Sequence, residues 1–131
     1  MRILALDSSG LTASVAVVED EQILFEYTMN YKKTHSQTLL PMLDEAVRMT
    51  GLSLGSVDAI AVAGGPGSFT GLRIGSATAK GLGLALDKPL IHVPTVDAMA
   101  YRMFGCSGLI CPIMDARRNQ VYTGIYRFEE K

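Results

Sequence analysis

Two stretches of this sequence carry residue types suited to holding a phosphate. Asp7-Ser8-Ser9-Gly10 sets a carboxylate, two hydroxyls and flexible backbone at the end of an apolar run. That arrangement can hold a metal-bound phosphate, with the acid toward the ion and the amides toward oxygens. The same residues also make an ordinary tight turn, in which Asp and Ser side chains satisfy their own backbone. The second stretch, Gly64-Gly65-Pro66-Gly67-Ser68-Phe69-Thr70-Gly71, leads into a helix whose bare first amides and positive dipole end suit an anion. It lacks the Lys and Ser/Thr offsets of a P-loop and the spacing of a dinucleotide fingerprint. Asp7, Ser8, Ser9, Gly65 and Gly67 are therefore the candidate nucleotide-binding residues, with magnesium as companion ion.

A phosphate does not account for all the glycines. Gly71, Gly75, Ala79 and Gly83 recur every four residues within the helix, and each internal glycine costs roughly 1 kcal/mol against alanine. An anion at the helix start explains neither Gly75 nor Gly83. A close neighbour does, because a strip without side chains lets a helix or a sheet approach at short interaxial distance. The strip itself leaves open whether that neighbour is the chain's own sheet or another protein.

The remaining reactive residues point to little chemistry. His35 falls in the first turn of a helix and His92 in an apolar strand, and neither has a second His or Cys at ligand spacing, so no catalytic metal is expected. No histidine pairs by sequence with a Ser or Cys nucleophile. Cys106 and Cys111 match neither a zinc site nor a disulfide framework, which suits a reducing, cytoplasmic setting. Arg117 and Arg118, in the loop Asp115 to Gln120, have the chemistry to meet an anion in a cleft between domains. A solvated hairpin tip is the alternative.

The elements that would position these residues follow from periodicity. With 131 residues, 48% of them hydrophobic, the chain has the size and composition of one ordinary domain with a real core. A net charge of -1 excludes tight nucleic-acid binding by this chain alone. No window approaches the apolar length of a membrane span or of a signal peptide. Strands are expected at 2–7, 12–18, 22–29, 58–63 and 89–93, and helices at 34–50, 70–86 and 95–104. The first helix has Thr34 and Gln37 at capping-box spacing, an apolar face of Leu39, Leu40, Leu43, Ala46 and Val47, and Gly51 as its stop. Pro41 within it removes one backbone bond and should kink it. Three strands followed by alternating helices and strands predict an α/β domain over 1–105, a mixed five-stranded sheet flanked by helices. Strands at 109–114 and 121–126 then read as the first hairpin of a truncated second domain, 106–131, because two uncovered strands bury too little to stand alone.

Four stretches together go beyond composition: ILALDSSGLTASVAVVED, THSQTLLPMLDEA, GGPGSFTGLRIGSATAKGLGLALDKPLIHVPTVDAMA and PIMDARRNQVY. They resemble the TsaB (YeaZ) family of bacterial tRNA threonylcarbamoyladenosine biosynthesis proteins over nearly the whole chain. The resemblance implies a ribonuclease-H-like fold of the actin, Hsp70 and sugar-kinase ATPase group. It also implies a non-catalytic scaffold related to TsaD, the subunit that transfers threonylcarbamoyl to adenosine 37 of tRNA. TsaD carries two metal-binding histidines after its fifth strand. Thr95 and Met99 stand at those positions here, and a hydroxyl and a thioether do not replace two imidazoles.

The partners implied are TsaD as heterodimer, TsaE, and indirectly the threonylcarbamoyl-adenylate synthase, with tRNA met only through the complex and a homodimer in isolation. ATP or ADP with magnesium would enter only at the level of the complex. The competing reading is an ATPase or phosphotransferase of the actin-like group using Asp7 and magnesium. In this family the first two helices form the docking surface, to which the resemblance assigns Met42, Met49, Gly71, Leu72, Gly75, Ala79 and Gly83. Bulk at Gly75 or Ala79 is then expected to break association with TsaD and leave the fold intact.

Overall fold

The computed structural model describes residues 1–30 and 35–129, with side chains in the first helix described from residue 38 onward. The capping pair Thr34 and Gln37 lies outside the described side chains. The chain runs β1 (Arg2–Asp7), β2 (Ala13–Glu19), β3 (Gln22–Met29), α1 (His35–Thr50), β4 (Ala59–Ala63), α2 (Phe69–Leu86), β5 (Leu90–Val93), α3 (Thr95–Tyr101), β6 (Ile113–Arg117) and β7 (Gln120–Thr123).

The first five strands form one mixed sheet in the order β3-β2-β1-β4-β5. β1 pairs antiparallel with β2 and parallel with β4, and β4 pairs parallel with β5. The antiparallel side needs only tight turns, whereas each parallel step is bridged by a helix, α1 with the loop after it and then α2. β4 (AIAVA) is buried along its whole length, as a central parallel strand covered on both faces must be.

The core lies where α1 and α2 pack on one face of this sheet. Leu4, Leu6, Val15, Val17, Ile60 and Val62 from the strands meet Leu39, Met42 and Leu43 from α1 and Ala79 from α2. α1 runs through Pro41 to Thr50, and Gly51 ends it at φ +68°, its amide bonding the Val47 carbonyl.

Two elements differ from expectation. α3 ends at Tyr101 rather than at residue 104, because the amides of Arg102, Met103 and Phe104 bond the carbonyls of Met99, Ala100 and Tyr101, tightening the end into a 3₁₀ turn. The later hairpin is shorter than expected, pairing Ile113 with Thr123 and Arg117 with Gln120 across a two-residue turn. Beyond it only an isolated bridge, Ile110 with Tyr126, continues the pairing. This hairpin is a separate two-stranded sheet.

The segment after the hairpin is tied to α3. The Tyr126 hydroxyl donates to Asp97 Oδ1 at 2.6 Å, and the rings of Tyr101, Phe104 and Phe128 cluster with centroids 5.3 to 5.7 Å apart. The Asp97 bond holds the Tyr126 phenol above its ordinary range, which lies near about 10. Because the bond favours the neutral phenol, it supports the fold below that range and is lost as pH rises through the raised value. In an alkaline titration followed by tyrosinate absorbance, Tyr126 should contribute a component above the ordinary phenol range. Tyr126→Phe should remove that component and Asp97→Asn should bring it down; a titration unchanged by either substitution would show the bond absent in solution.

Candidate functional site

The turn after β1 and the entry to α2 meet, as the sequence requires of a phosphate loop, but their polar groups face one another. Ser8 and Ser9 are 2% and 3% exposed. The Ser8 hydroxyl donates to the Gly71 carbonyl at 2.7 Å, and the Ser9 hydroxyl and amide both donate to Asp7 Oδ1, at 2.6 and 2.9 Å. The Ser9 carbonyl in turn accepts from the Ser68 amide at 2.7 Å. A Cβ on Gly67 would stand 2.5 Å from that same carbonyl, so Gly67 is glycine to let two backbones touch. Ser68 caps α2 by accepting from the Gly71 amide at 3.2 Å.

The Ser8 and Ser9 hydroxyls both have partners inside the chain, and the close approach at Gly67 is filled by the β1 turn rather than open to a ligand. Only Asp7, exposed at the end of β1, faces outward. The candidate set Asp7, Ser8, Ser9, Gly65 and Gly67 is thus brought together as a structural joint, and it does not fit a phosphate cradle. Thr95 is buried with Oγ1 unpartnered, and its amide bonds the Gly65 carbonyl at 2.8 Å.

The strip along α2 also faces inward. Gly71, Gly75, Ala79 and Gly83 are its buried residues. A Cβ on Gly75 would stand 2.6 Å from Ser8 Oγ and 3.5 Å from Val62 Cγ2, and one on Gly83 would stand 2.9 Å from Leu90 Cδ2. The neighbour that the strip admits is the chain's own sheet, at β1, β4 and β5. This corrects the assignment of Gly71, Gly75, Ala79 and Gly83 to a partner surface. Met42 is corrected too: at 2% exposed it belongs to the core beside Leu39 and Leu43. Leu72 is half-buried beside Gly65.

Met49 and Leu40 on α1, and Phe69 and Leu84 on α2, are large apolar residues left exposed, Leu84 at 87%. Arg73 lies over the Phe69 ring, 5.2 Å from its centroid. Sequence reasoning found Met49 and missed the other three: it set Leu40 on the inward apolar face of α1, where the structure leaves it 53% exposed, and for Phe69 and Leu84 the available signal was their angular position away from the glycine strip.

The family model for TsaD, tRNA N6-adenosine threonylcarbamoyltransferase, matches residues 22–131. The chain belongs to this family, as a TsaB-type member. It is 39% identical over 129 residues to the Bacillus subtilis tRNA threonylcarbamoyladenosine biosynthesis protein TsaB, a match covering 98% of this chain and 56% of that protein. The structure of YeaZ from Pseudomonas aeruginosa superposes with a TM-score of 0.87 at 35% identity, over 98% of this chain and 61% of that one. A Thermus thermophilus ROK hexokinase, at 17% identity and TM-score 0.58 over 95% of this chain and 45% of its own, shares the fold alone. The mixed five-stranded sheet flanked by helices is thus an α/β fold common to YeaZ and, at the level of the fold, to that hexokinase. The chain spans about half the length of the curated TsaB relatives it matches. Among the described residues, no helix is long and apolar enough to cross a membrane.

Proposed function

We propose that the protein is a scaffold subunit of the tRNA threonylcarbamoyladenosine modification machinery, cytoplasmic and without catalysis of its own. It docks onto TsaD through the outside of α1 and α2. The observation that supports this is the set of exposed apolar side chains, Leu40, Met49, Phe69 and Leu84, on a helical layer whose inner face is already filled by its own sheet. TsaE and the threonylcarbamoyl-adenylate synthase then act on the assembled complex, which alone meets tRNA, since a net charge of -1 supplies little attraction to a polyanion. ATP or ADP with magnesium belongs to the complex, and in isolation the same face pairs two copies of this chain.

The experiment is reconstitution with the full-length protein, TsaD, TsaE, the adenylate synthase and unmodified tRNA, reading threonylcarbamoyl-adenosine by mass spectrometry. Omitting this protein should reduce modification to background, and it should co-purify with TsaD. Full modification in its absence, or ATP turnover by the isolated full-length protein, would overturn the proposal.

A further inference from the structure

The tip of the β6–β7 hairpin carries two guanidinium groups on a backbone that disfavours them. Arg117, Arg118 and Asn119 take positive φ in succession, 63°, 55° and 57°. A two-residue turn with left-handed central residues selects Asn-Gly or Asp-Gly, because a Cβ is crowded in that region. Asn119 suits such a position, but Arg118 does not, and Arg117 takes the same left-handed conformation beside it, at a register shift in β6. No buried side chain in either strand enforces the conformation: β6 alternates exposed and half-buried residues, and β7 is exposed throughout. The brace is local, with Asp115 Oδ1 accepting from the Arg117 amide at 2.8 Å.

That bond directs the nearest carboxylate at backbone. Among the described residues neither Arg117 nor Arg118 makes an ion pair, whereas Arg2, Arg48 and Arg127 are paired with Glu19, Glu45 and Glu129. Both tip arginines are exposed. Strained backbone that no packing requires marks a position held for what its side chains do. Adjacent guanidinium forks present parallel N–H donors that match the oxygens of a phosphate group, with more directional bonds than lysines would give.

We propose that Arg117 and Arg118 form a phosphate-binding finger. It takes either a phosphodiester of RNA or the polyphosphate of a nucleotide, the chemistry being common to both. Two arginines neutralise about two phosphates, so the finger adds to binding at a larger surface and does not make the chain a nucleic-acid binder alone.

The test compares the full-length protein with Arg117→Gln/Arg118→Asn, which removes both charges and places a turn-favouring residue at 118, and with Arg117→Lys/Arg118→Lys, which keeps charge without the forks. Isolated protein titrated with sodium tripolyphosphate and followed by amide NMR should show shifts at 115–120. Affinity should fall about tenfold in the Gln/Asn variant and partially in the Lys pair, with thermal stability kept or raised in the former. This titration does not depend on docking to TsaD, so it stands apart from the scaffold reading. Two further arms separate the sources: ATP with magnesium by calorimetry, and unmodified tRNA by filter binding to the assembled complex. An RNA site would lower the salt slope of tRNA binding by about 1.5 to 2 in the Gln/Asn variant, and a nucleotide site would weaken ATP instead. Wild-type affinity in that variant for tripolyphosphate, or no binding by the wild type at millimolar concentration, would overturn the proposal.

Discussion

Gly75→Leu is expected to destabilise the domain itself, not simply to release a partner. The position lies against Ser8 Oγ and Val62 Cγ2, where a first carbon already stands 2.6 Å from the hydroxyl, and leucine adds three more carbons behind it. Ser8 cannot give way freely, because its hydroxyl is bonded to the Gly71 carbonyl one helical turn back. Overpacking of a filled interior costs about 1–3 kcal/mol, occasionally more, and accommodating leucine here also breaks a buried hydrogen bond, which costs another 1–3 kcal/mol or so. Helix propensity returns less than about 1 kcal/mol of that. A net loss on the order of 3 kcal/mol should lower Tm by roughly 10 °C or more in a domain of this size. The control is on the same helix: Gly81 is exposed, with nothing within 4 Å of a built Cβ, so Gly81→Ala should stabilise by about 0.5–1 kcal/mol. Differential scanning calorimetry of both variants in the full-length protein decides the matter. A folded Gly75→Leu protein of normal Tm would mean that the strip is open after all.

That result would separate what the sequence could say from what it could not. A glycine or alanine every fourth residue encodes a distance of approach, and the need for close packing along α2 was legible. The identity of the neighbour was not, because Ser8, Val62 and Leu90 reach the strip only through the parallel order of β1, β4 and β5. The serines failed as phosphate ligands for a similar reason. Asp7-Ser8-Ser9 reads alike in a cradle and in a self-satisfied turn, and the bond from Ser8 that distinguishes them spans 63 residues. Met42 was legible in principle, since it lies three residues after Leu39 and one before Leu43, within the width of an ordinary buried face. The strands and their mixed pairing followed from β-branched density and turn residues. The hairpin tip was legible within 115–120, but its tight two-residue form was not, because left-handed arginines contradict the propensities by which such turns are found.

With the strip turned inward, the docking role rests on the outer face, and Leu84→Lys is expected to weaken association with TsaD by about 30-fold or more. Leu84 is 87% exposed on the single chain, so the folded monomer, at concentrations below those at which two copies pair, gains nothing from its side chain that a solvated lysine would lose. Lysine is also a good helix former, and a cation within the last turn of α2 sits favourably at the negative end of the helix dipole. Thermal stability should therefore stay within about 2 °C of the parent. At an interface the balance reverses. A central apolar anchor contributes roughly 2 kcal/mol or more on truncation, and an ammonium buried there without a partner adds its desolvation to the loss. Titration calorimetry of full-length protein into TsaD reads the change directly, with Met49→Lys on α1 as a second probe of the same layer, exposed at 74%. Loss of affinity at both positions with unchanged melting is the signature of a contact surface, because an internal packing residue cannot be charged without cost to the fold. If both variants bind TsaD as the parent does, the outer face of the helices is not where TsaD docks.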